Sequence, residues 1–309
     1  MRTTSLAVGY PSLVEMVGRG GVVVLSGAGL STESGIPDYR GPTGARRPSS
    51  PMTFQAFTRD PVARRRYWAR SHLGWRTIAQ AAPNEGHRAV AALQRHGLVA
   101  GIVTQNVDGL HQAGGAESVI ELHGSLARVV CLDCDAIGAR GELHRRLAEA
   151  NPDFGLLHER AEVNPDGDVE LDDDALANFQ PVDCAACHGT LKPDVVFFGE
   201  TVPAERVQAC FTLVENAAAL LVLGSSLTVM SGRRFVLRAA RLGIPVAIVN
   251  QGETRADDRA SVCVDAPLGE VLSNLATSTG AVGSGYDTTT LSPSRAAAAD
   301  SASATRSSG

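Results

Sequence analysis

The sequence predicts an α/β protein with a doubly wound, Rossmann-like parallel sheet and a smaller lobe formed by two insertions. Short apolar runs recur along the chain, and several are continuous rather than alternating, which is typical of strands covered on both faces. Helix-like segments separate several of these runs. Alternation of strand and helix favours a parallel sheet with helices on both sides.

The elements follow from these runs in chain order. The predicted strands are VVVL (22–25), LVAGIV (98–103), VIEL (119–122), VVFF (195–198), ALLVLG (219–224), IPVAIVN (244–250) and SVCV (261–264). The predicted helices cover Pro83–His96, Pro203–Asn216 and Gly232–Leu242.

Two stretches interrupt the alternation, and we expect them to pack together as the second lobe. The predicted large domain comprises residues 1–40, 84–125 and 191–278, and the predicted small domain, a helical module plus a zinc module, comprises 41–83 and 126–190. The Ser/Thr/Ala-rich stretch 279–309 lacks the large apolar residues that would offset its ordering entropy, so it is predicted to be a disordered tail.

Composition excludes several classes of function. The chain has 309 residues, a formal net charge of −5 and 20% charged residues, so no overall positive field attracts nucleic acid or an anionic membrane. No apolar run approaches the roughly 20 residues of a membrane-spanning helix, and the N-terminus does not resemble a signal peptide. We therefore expect a cytoplasmic protein. The oligomeric state is not determined at this level.

The stretch GAGLSTESGIPDYR (27–40) follows the first predicted strand. Gly27 and Gly29 precede a predicted helix, where backbone N–H groups and a helix N-terminus can face a pyrophosphate. Thr32 stands where a third glycine would complete the dinucleotide fingerprint, and no acidic strand end follows near residue 50. The loop therefore suits a dinucleotide without the usual hydride-transfer pattern, although a tight structural turn is an alternative.

Two further polar segments follow predicted strands. TQNVDGLHQAG (104–114) places Gln105, Asn106 and Asp108 at the carboxyl end of a strand, where ligands bind in such sheets. An Asx-rich turn that caps a helix is the alternative. In ELHG (121–124), His123 carries an imidazole that titrates near neutral pH and can accept a proton from a hydroxyl. His111 and His188 are expected to be structural.

Four cysteines form two C-x-x-C pairs, which predict a closed tetrahedral zinc site with a structural role. The proposed ligands are Cys131, Cys134, Cys184 and Cys187. The 49 residues between the two pairs exceed the usual span of a compact zinc ribbon. Cys210 and Cys263 are expected to pack inside.

These motifs, together with LKPDVVFFGE (191–200), LGSSL (223–227) and IVNQG (248–252), occur in the order found in sirtuins, and the chain resembles that family over about residues 12–275. Sirtuins are NAD-dependent protein lysine deacylases. The resemblance therefore implies NAD as co-substrate, one structural Zn²⁺, and acyl-lysine proteins or peptides as partners. It implies that the acyl oxygen attacks C1′ of the nicotinamide ribose, giving nicotinamide, free lysine and O-acyl-ADP-ribose.

The same resemblance implies the roles of individual residues. His123 is the general base, and Asn106 and Asp108 complete the catalytic set. The implied NAD contacts are Gly27, Ala28, Gly29, Ser31, Pro37, Asp38, Tyr39, Arg40, Gln105, Asn106, Val107, Asp108, Gly224, Ser225, Ser226, Asn250, Gln251, Gly252 and Leu268. The implied substrate contacts are Tyr67, Arg70, Val196, Phe198, Gly199 and Glu200.

Acyl specificity is the open question. In RRYWAR (65–70), Tyr67 and Arg70 lie at i and i+3 of a predicted helix and would bind an acyl carboxylate, or they belong to an ordinary cationic helix face. This segment and the long cysteine span resemble the mitochondrial class II branch with lipoamidase and ADP-ribosyltransferase activities. Protein ADP-ribosyl transfer or lipoamidase-type deacylation is therefore an alternative function. A non-catalytic NAD-sensing module is another, which Asn106 and His123 disfavour.

Overall fold

The structure is a computed structural model that describes residues 9–39, 51–154, 164, 167–169, 176 and 178–282. Its helices are α1 (Tyr10–Gly18), α2 (Phe54–Arg59), α3 (Pro61–Gln80), α4 (Glu85–Arg95), α5 (Leu110–Ala113), α6 (Arg140–Ala150), α7 (Ala204–Glu215), α8 (Met230–Arg241) and α9 (Leu268–Ser278). Its strands are β1 (Val22–Ser26), β2 (Val99–Thr104), β3 (Val119–Glu121), β4 (Gly124–Cys131), β5 (Ile137–Ala139), β6 (Leu191–Val195), β7 (Ala219–Leu223), β8 (Val246–Val249) and β9 (Val262–Val264).

The main sheet has six parallel strands in the order β3-β2-β1-β7-β8-β9. The order reverses between β1 and β7, which is the topological switch point where open α/β sheets bind ligands. The doubly wound fold predicted from the sequence is confirmed.

The sheet is covered on both faces, which explains its continuous apolar strands. Val22 and Val24 of β1 face a core shared with α1, α4 and α9. Val23 and Leu25 face the opposite core, shared with α7 and α8. Because both sides of the strand are buried, its sequence shows no alternation of apolar and polar residues.

A second, antiparallel sheet has the order β5-β4-β6 and supports the smaller lobe. Phe57 and Trp68 from the first predicted insertion share one core with Leu126 and Leu143 from the second. The two stretches therefore pack together as expected. The boundaries of the two domains remain a prediction.

Helix ends in the first insertion and beyond it carry clear local signals. Asp60 caps α3, accepting the Val62 N–H at 2.8 Å, and Pro61 occupies the first turn. Asn84 caps α4 by accepting the His87 N–H at 3.2 Å. The sequence prediction did not delimit α1, α9 or β4.

Of two predicted element boundaries, the first is wrong. The strand placed at 195–198 lies earlier, at Leu191–Val195, because β6 is an edge strand, where Pro193 is tolerated. The second is at most a small shift: the tail predicted over 279–309 remains a prediction, although Ala281 and Val282 at its start pack against the core. The remainder of that stretch, 283–309, lies outside the described residues.

Over the described ranges, no helix combines the length and apolar character needed to cross a bilayer.

Candidate active site

A cavity of about 540 Å³ opens at the switch point, within the size range of small-molecule sites. It brings together nearly all of the predicted NAD-binding residues, from the loops after β1, β2, β7 and β8 and from the start of α9. The residues that line it are Gly27, Ala28, Gly29, Ser31, Pro37, Asp38, Tyr39, Gln105, Asn106, Val107, Asp108, Gly224, Ser225, Ser226, Asn250, Gln251 and Leu268. Gly252 does not line the cavity, and Arg40 lies outside the described residues.

The two glycine loops contact each other through their backbones. Gly27 N–H donates to Leu223 O at 2.9 Å, and Gly29 N–H donates to Gly224 O at 2.8 Å. A Cβ on Gly29 would lie 2.9 Å from the Gly224 Cα, so only glycine permits this approach. These two N–H groups are therefore paired within the protein and are not free to bind a pyrophosphate. The predicted helix after them is a 3₁₀ helix, Ala28–Ser34.

The Gln-Asn-Val-Asp segment (105–108) contacts the glycine loop after β1. Asn106 donates from Nδ2 to Gly27 O at 3.1 Å and to Ser31 Oγ at 3.0 Å. Ser31 Oγ donates in turn to Asp108 Oδ2 at 2.7 Å, and Leu110 N–H donates to Oδ1 at 2.9 Å. Burial raises the pKa of Asp108, and these two hydrogen bonds oppose the rise. The chain Asn106–Ser31–Asp108 thus fixes an amide and a carboxyl group on the cavity wall.

The side chain of Gln105, in the loop after β2, forms hydrogen bonds with the end of β1 and with the loop after β7. Its Nε2 donates to Ser225 Oγ at 2.8 Å and to Ser26 O at 3.3 Å. A Cβ on Gly232 would lie 2.5 Å from Gln105 Oε1, so the glycine lets α8 begin against this side chain. The Gln105 side chain thus supports the loops from inside the protein.

His123 lines the same cavity, as predicted. Val196 N–H donates to the backbone oxygen of His123 at 2.8 Å. The ring nitrogen Nδ1 lies 2.9 Å from Gln105 O, and Nε2 lies 2.8 Å from Ser231 Oγ. Burial lowers the pKa of His123, nearby Arg206 and Arg234 lower it further, and the Gln105 contact opposes the change. The imidazole is therefore neutral near pH 7 and able to accept a proton.

The opposite wall comes from the segment after β6. Val196, Phe198, Gly199 and Glu200 all line the cavity, together with Tyr67 from α3. Phe198 is 38% exposed.

The backbone edge of this segment is already partly paired, however. Phe198 O accepts the Phe54 N–H at 2.9 Å, and Gly199 O accepts from Gln55 Nε2 at 3.1 Å. An incoming peptide would therefore have to pair with other groups of this segment than these two oxygens.

The predicted pairing of Tyr67 with Arg70 on one acyl group remains a prediction, and the structure places the two side chains in different surroundings. Tyr67 is buried against the rings of Phe57 and Phe197, where it closes the cavity. Arg70 does not line the cavity. Its Nε donates to Val169 O and lies 3.4 Å from Asp168 Oδ2, an ion pair within the small lobe whose side chains are 14% and 9% exposed. Arg70 thus has an anionic partner within the small lobe.

The four paired cysteines converge, and their geometry fits a zinc ion. All four Sγ atoms lie within 4.8 Å of one another, with Cys131 to Cys187 at 3.5 Å and Cys134 to Cys184 at 3.9 Å. Zinc–sulfur bonds of about 2.3 Å in a tetrahedron place sulfurs roughly 3.8 Å apart. The backbone N–H groups of Cys187 and then Ala186 lower the pKa of Cys184 to about 7, whereas the Cys134 thiol raises the pKa of Cys187, so the Cys184 thiol ionises more readily than the Cys187 thiol.

The two cysteine knuckles have the same backbone shape. Asp135 and His188, each following the second cysteine of a pair, have positive φ angles of 57° and 59°. Asp135 N–H donates to Cys131 O at 3.1 Å, and His188 N–H donates to Cys184 O at 2.9 Å. This repeated turn aims four sulfurs at one point, so His188 has a structural role, as expected.

The remaining histidine and cysteine predictions have mixed outcomes. His111 is buried with Nε2 2.8 Å from Ser26 Oγ, and Cys210 is fully buried, as expected. Cys263 is exposed, not packed inside, because β9 is an edge strand with one open face.

Sequence reasoning missed cavity residues at the start of α8. Met230, Ser231 and Arg234 line the cavity, and Ser231 contacts His123 directly. The available signal was their position just after the Gly-Ser-Ser loop that follows β7. No sequence motif identified these residues, because their place in the site depends on the contact between the start of α8 and His123.

Residues 27–231 match the family model described as the Sir2 family. The chain belongs to the Sir2 family. NAD-dependent protein deacetylase 1 of Streptomyces coelicolor is 59% identical over 274 residues, covering 89% of this chain and 90% of the relative. The protein of the same name from Mycobacterium avium is 51% identical and covers 86% and 94%. A solved structure titled Sir2-p53 peptide-NAD+ superposes with a TM-score of 0.69 at 28% identity, over 89% of this chain and 99% of that one.

The Sir2 assignment confirms the resemblance to sirtuins and, at the level of the family, the predicted enzyme class. The predicted co-substrate NAD agrees with these Sir2 proteins, and a further solved structure titled Sir2 bound to acetylated peptide agrees with the predicted acylated-peptide partners. The four-cysteine cluster is consistent with the predicted structural zinc. The class II branch and the roles of individual residues remain predictions.

Proposed function

We propose that this chain is an NAD-dependent protein lysine deacylase in which His123 is the general base. One observation carries the proposal: a neutral, positioned imidazole lies in the same cavity as both glycine loops and the Gln-Asn-Val-Asp segment. This combination suits a reaction in which a sugar hydroxyl must lose a proton beside a bound dinucleotide.

The residues around the cavity fit NAD. Gly27, Gly29 and Gly224 pack so closely that a Cβ on any of them would clash with the facing loop, which keeps the dinucleotide loops in contact. Asn106 and Asp108 would hold the nicotinamide ribose and carboxamide. NAD, when bound, supplies the activated glycosidic carbon that accepts the acyl oxygen.

The protein's own residues hold the reacting groups in position. Asp108 is held by two donors and buried, so it keeps one orientation in the site. His123 is held from Nδ1 by the Gln105 oxygen, which fixes the plane of the ring. Fixing both groups in advance reduces the entropic cost of reaching the reactive geometry.

For the acyl group, we propose a preference for neutral chains within a class II-like branch. Support for the branch comes from the RRYWAR segment and the long cysteine span. Support for neutral acyl groups comes from Tyr67 and Phe197, which close the cavity with aromatic surface, and from Arg70, which is paired with Asp168.

We also propose a cytoplasmic location. Four clustered cysteine thiols that suit a metal persist as ligands in a reducing compartment, whereas an oxidising one favours disulfides.

The test is nicotinamide release with and without an acetyl-lysine peptide, in the wild type and in His123→Ala. We expect peptide-dependent release in the wild type. His123→Ala should lose at least 100-fold in formation of deacylated peptide while NAD still binds by calorimetry. Full deacylation by His123→Ala would refute the assigned role, and a wild type that releases no nicotinamide would favour a binding module instead.

A further inference from the structure

The hydroxyl of Ser231 forms a hydrogen bond with Nε2, the basic ring nitrogen of His123. A carbonyl oxygen only accepts hydrogen bonds, so the 2.9 Å contact with Gln105 O requires the ring proton to be on Nδ1. In the neutral ring, Nε2 is then an acceptor with a single lone pair. The Ser231 Oγ–H, 2.8 Å away, donates to that lone pair.

Two features of the fold fix this contact. Ser231 is the second residue of α8, and the next residue, Gly232, lets the helix begin against the Gln105 side chain. Gln105 also supplies the oxygen that holds Nδ1. The His123 ring is therefore held between Gln105 and Ser231 from its two nitrogens, and Ser231 itself lines the cavity.

The positive charges near the His123 ring make its protonated form harder to accommodate. Arg206 and Arg234 both disfavour a positive charge on His123, as does burial of the ring. An imidazolium at this position needs an acceptor for its Nε2–H. The Ser231 oxygen is in place to accept it, and hydrogen bonds from a charged donor are about twice as strong as neutral ones.

We propose that Ser231 relays the proton from the substrate ribose hydroxyl to His123, an assignment that rests on the proposed deacylase function. The ribose O–H bond breaks and its proton passes to Ser231 Oγ. At the same time the Ser231 O–H bond breaks and its proton passes to Nε2. The ribose oxygen keeps the electron pair with which it attacks, the serine hydroxyl is restored, and the ring becomes an imidazolium whose Nε2–H points at Ser231.

The experiment compares Ser231→Ala, Ser231→Thr and the wild type, with Ser273→Ala on α9 as a matched serine control remote from the cavity. Single-turnover assays measure nicotinamide release and product formation separately, because only the second step needs the base. We expect Ser231→Ala to lose about 100-fold in product formation with nicotinamide release changed less than about 3-fold. Ser231→Thr, which keeps a hydroxyl, should retain product formation within about 10-fold of the wild type.

A second readout needs no substrate. ¹⁵N spectra of histidine-labelled protein, with His123→Ala used to assign the His123 signals, report the tautomer and the bonding of Nε2. We expect an Nδ1–H tautomer in the wild type, and in Ser231→Ala a shift of Nε2 toward the value of an unbonded pyridine-type nitrogen.

Three outcomes would overturn the relay: product formation within about 3-fold of the wild type in Ser231→Ala, an equal loss of both steps, or an unchanged Nε2 signal. The proposed function fails on a different result, absence of peptide-dependent nicotinamide release in the wild type. Because the spectra are recorded on the free protein, the Ser231–His123 bond is decided separately from that result.

Discussion

The Gly29 N–H donates to Gly224 O at 2.8 Å, and this contact joins the loop after β1 to the loop after β7 at the switch point of the sheet. The two residues are far apart in the chain, and each lacks the side chain that would separate the loops. The cavity is built around this approach, so the glycines act through backbone packing.

We predict that Gly29→Ala destabilises the protein by about 1–3 kcal/mol and weakens NAD binding, because its Cβ would lie 2.9 Å from both the Cα and the oxygen of Gly224. Urea unfolding and calorimetric NAD titration measure the two effects. Gly18→Ala is the control, since a Cβ there meets open space at the end of α1, and it should be neutral or slightly stabilising. Wild-type stability in Gly29→Ala would show that the loops separate without cost.

Removal of zinc should unfold the small lobe. The four sulfurs converge from two knuckles that join β4 to the start of β6, so the metal bridges segments far apart in sequence. We expect one zinc per chain by metal analysis, and a clearly lower Tm after treatment with a strong chelator or in Cys184→Ala. Cys263→Ser, at an exposed cysteine outside the cluster, should keep its zinc. An identical melting curve before and after chelation would contradict a structural metal.

Arg70→Met should leave acyl preference unchanged but lower stability. The substitution leaves Asp168 partly buried without its cation, and breaking such pairs is costly. Activity on acetyl-, succinyl-, glutaryl- and lipoyl-lysine peptides, together with Tm, tests both points. Asp168→Asn is the partner control and should reproduce the loss of stability. A loss of more than about 10-fold confined to the succinyl and glutaryl peptides would instead assign Arg70 to carboxylate binding.

Stability should fall as the pH drops below neutrality. Burial, followed by the nearby His111 and Arg88, lowers the pKa of His87 to about 3, and burial lowers that of His111 to about 4. Both histidines are neutral in the folded state, whereas the unfolded chain takes up protons near pH 6.5, so their contribution is complete above that value and declines as the pH falls toward the folded pKa values.

Between pH 7.5 and 5.5, each such histidine should therefore cost about 1.4 kcal/mol in the free energy of unfolding. Urea unfolding at the two pH values gives the loss. In His87→Gln, the loss in free energy of unfolding between pH 7.5 and pH 5.5 should be about 1.4 kcal/mol smaller than in the wild type, even if the variant is less stable at both pH values. An equal pH dependence in the variant and the wild type would show that His87 does not contribute.

Local sequence features predicted much of the fold and the chemical groups of the site. Runs such as VVVL (22–25) reveal a strand buried on both sides, because burial on both faces removes alternation. The cysteine pairs identify the four sulfurs of the cluster, since each knuckle is a short-range structure. The boundary of β6 was misjudged because the apolar run VVFF (195–198) was taken as the strand, whereas the strand is the more polar LKPDV (191–195), whose proline an edge position tolerates.

By itself, the sequence determined the alternating order of strands and helices, the four sulfurs, and the amide, carboxyl and imidazole groups available for catalysis. Only the tertiary structure decided that Ser231 meets His123 across 108 residues of chain, that Arg70 turns to Asp168, and that the glycine N–H groups are used between loops. Which partner a polar group finds depends on how distant elements approach each other. That approach is set by packing of the whole sheet and its helices, and no local pattern of residues encodes it.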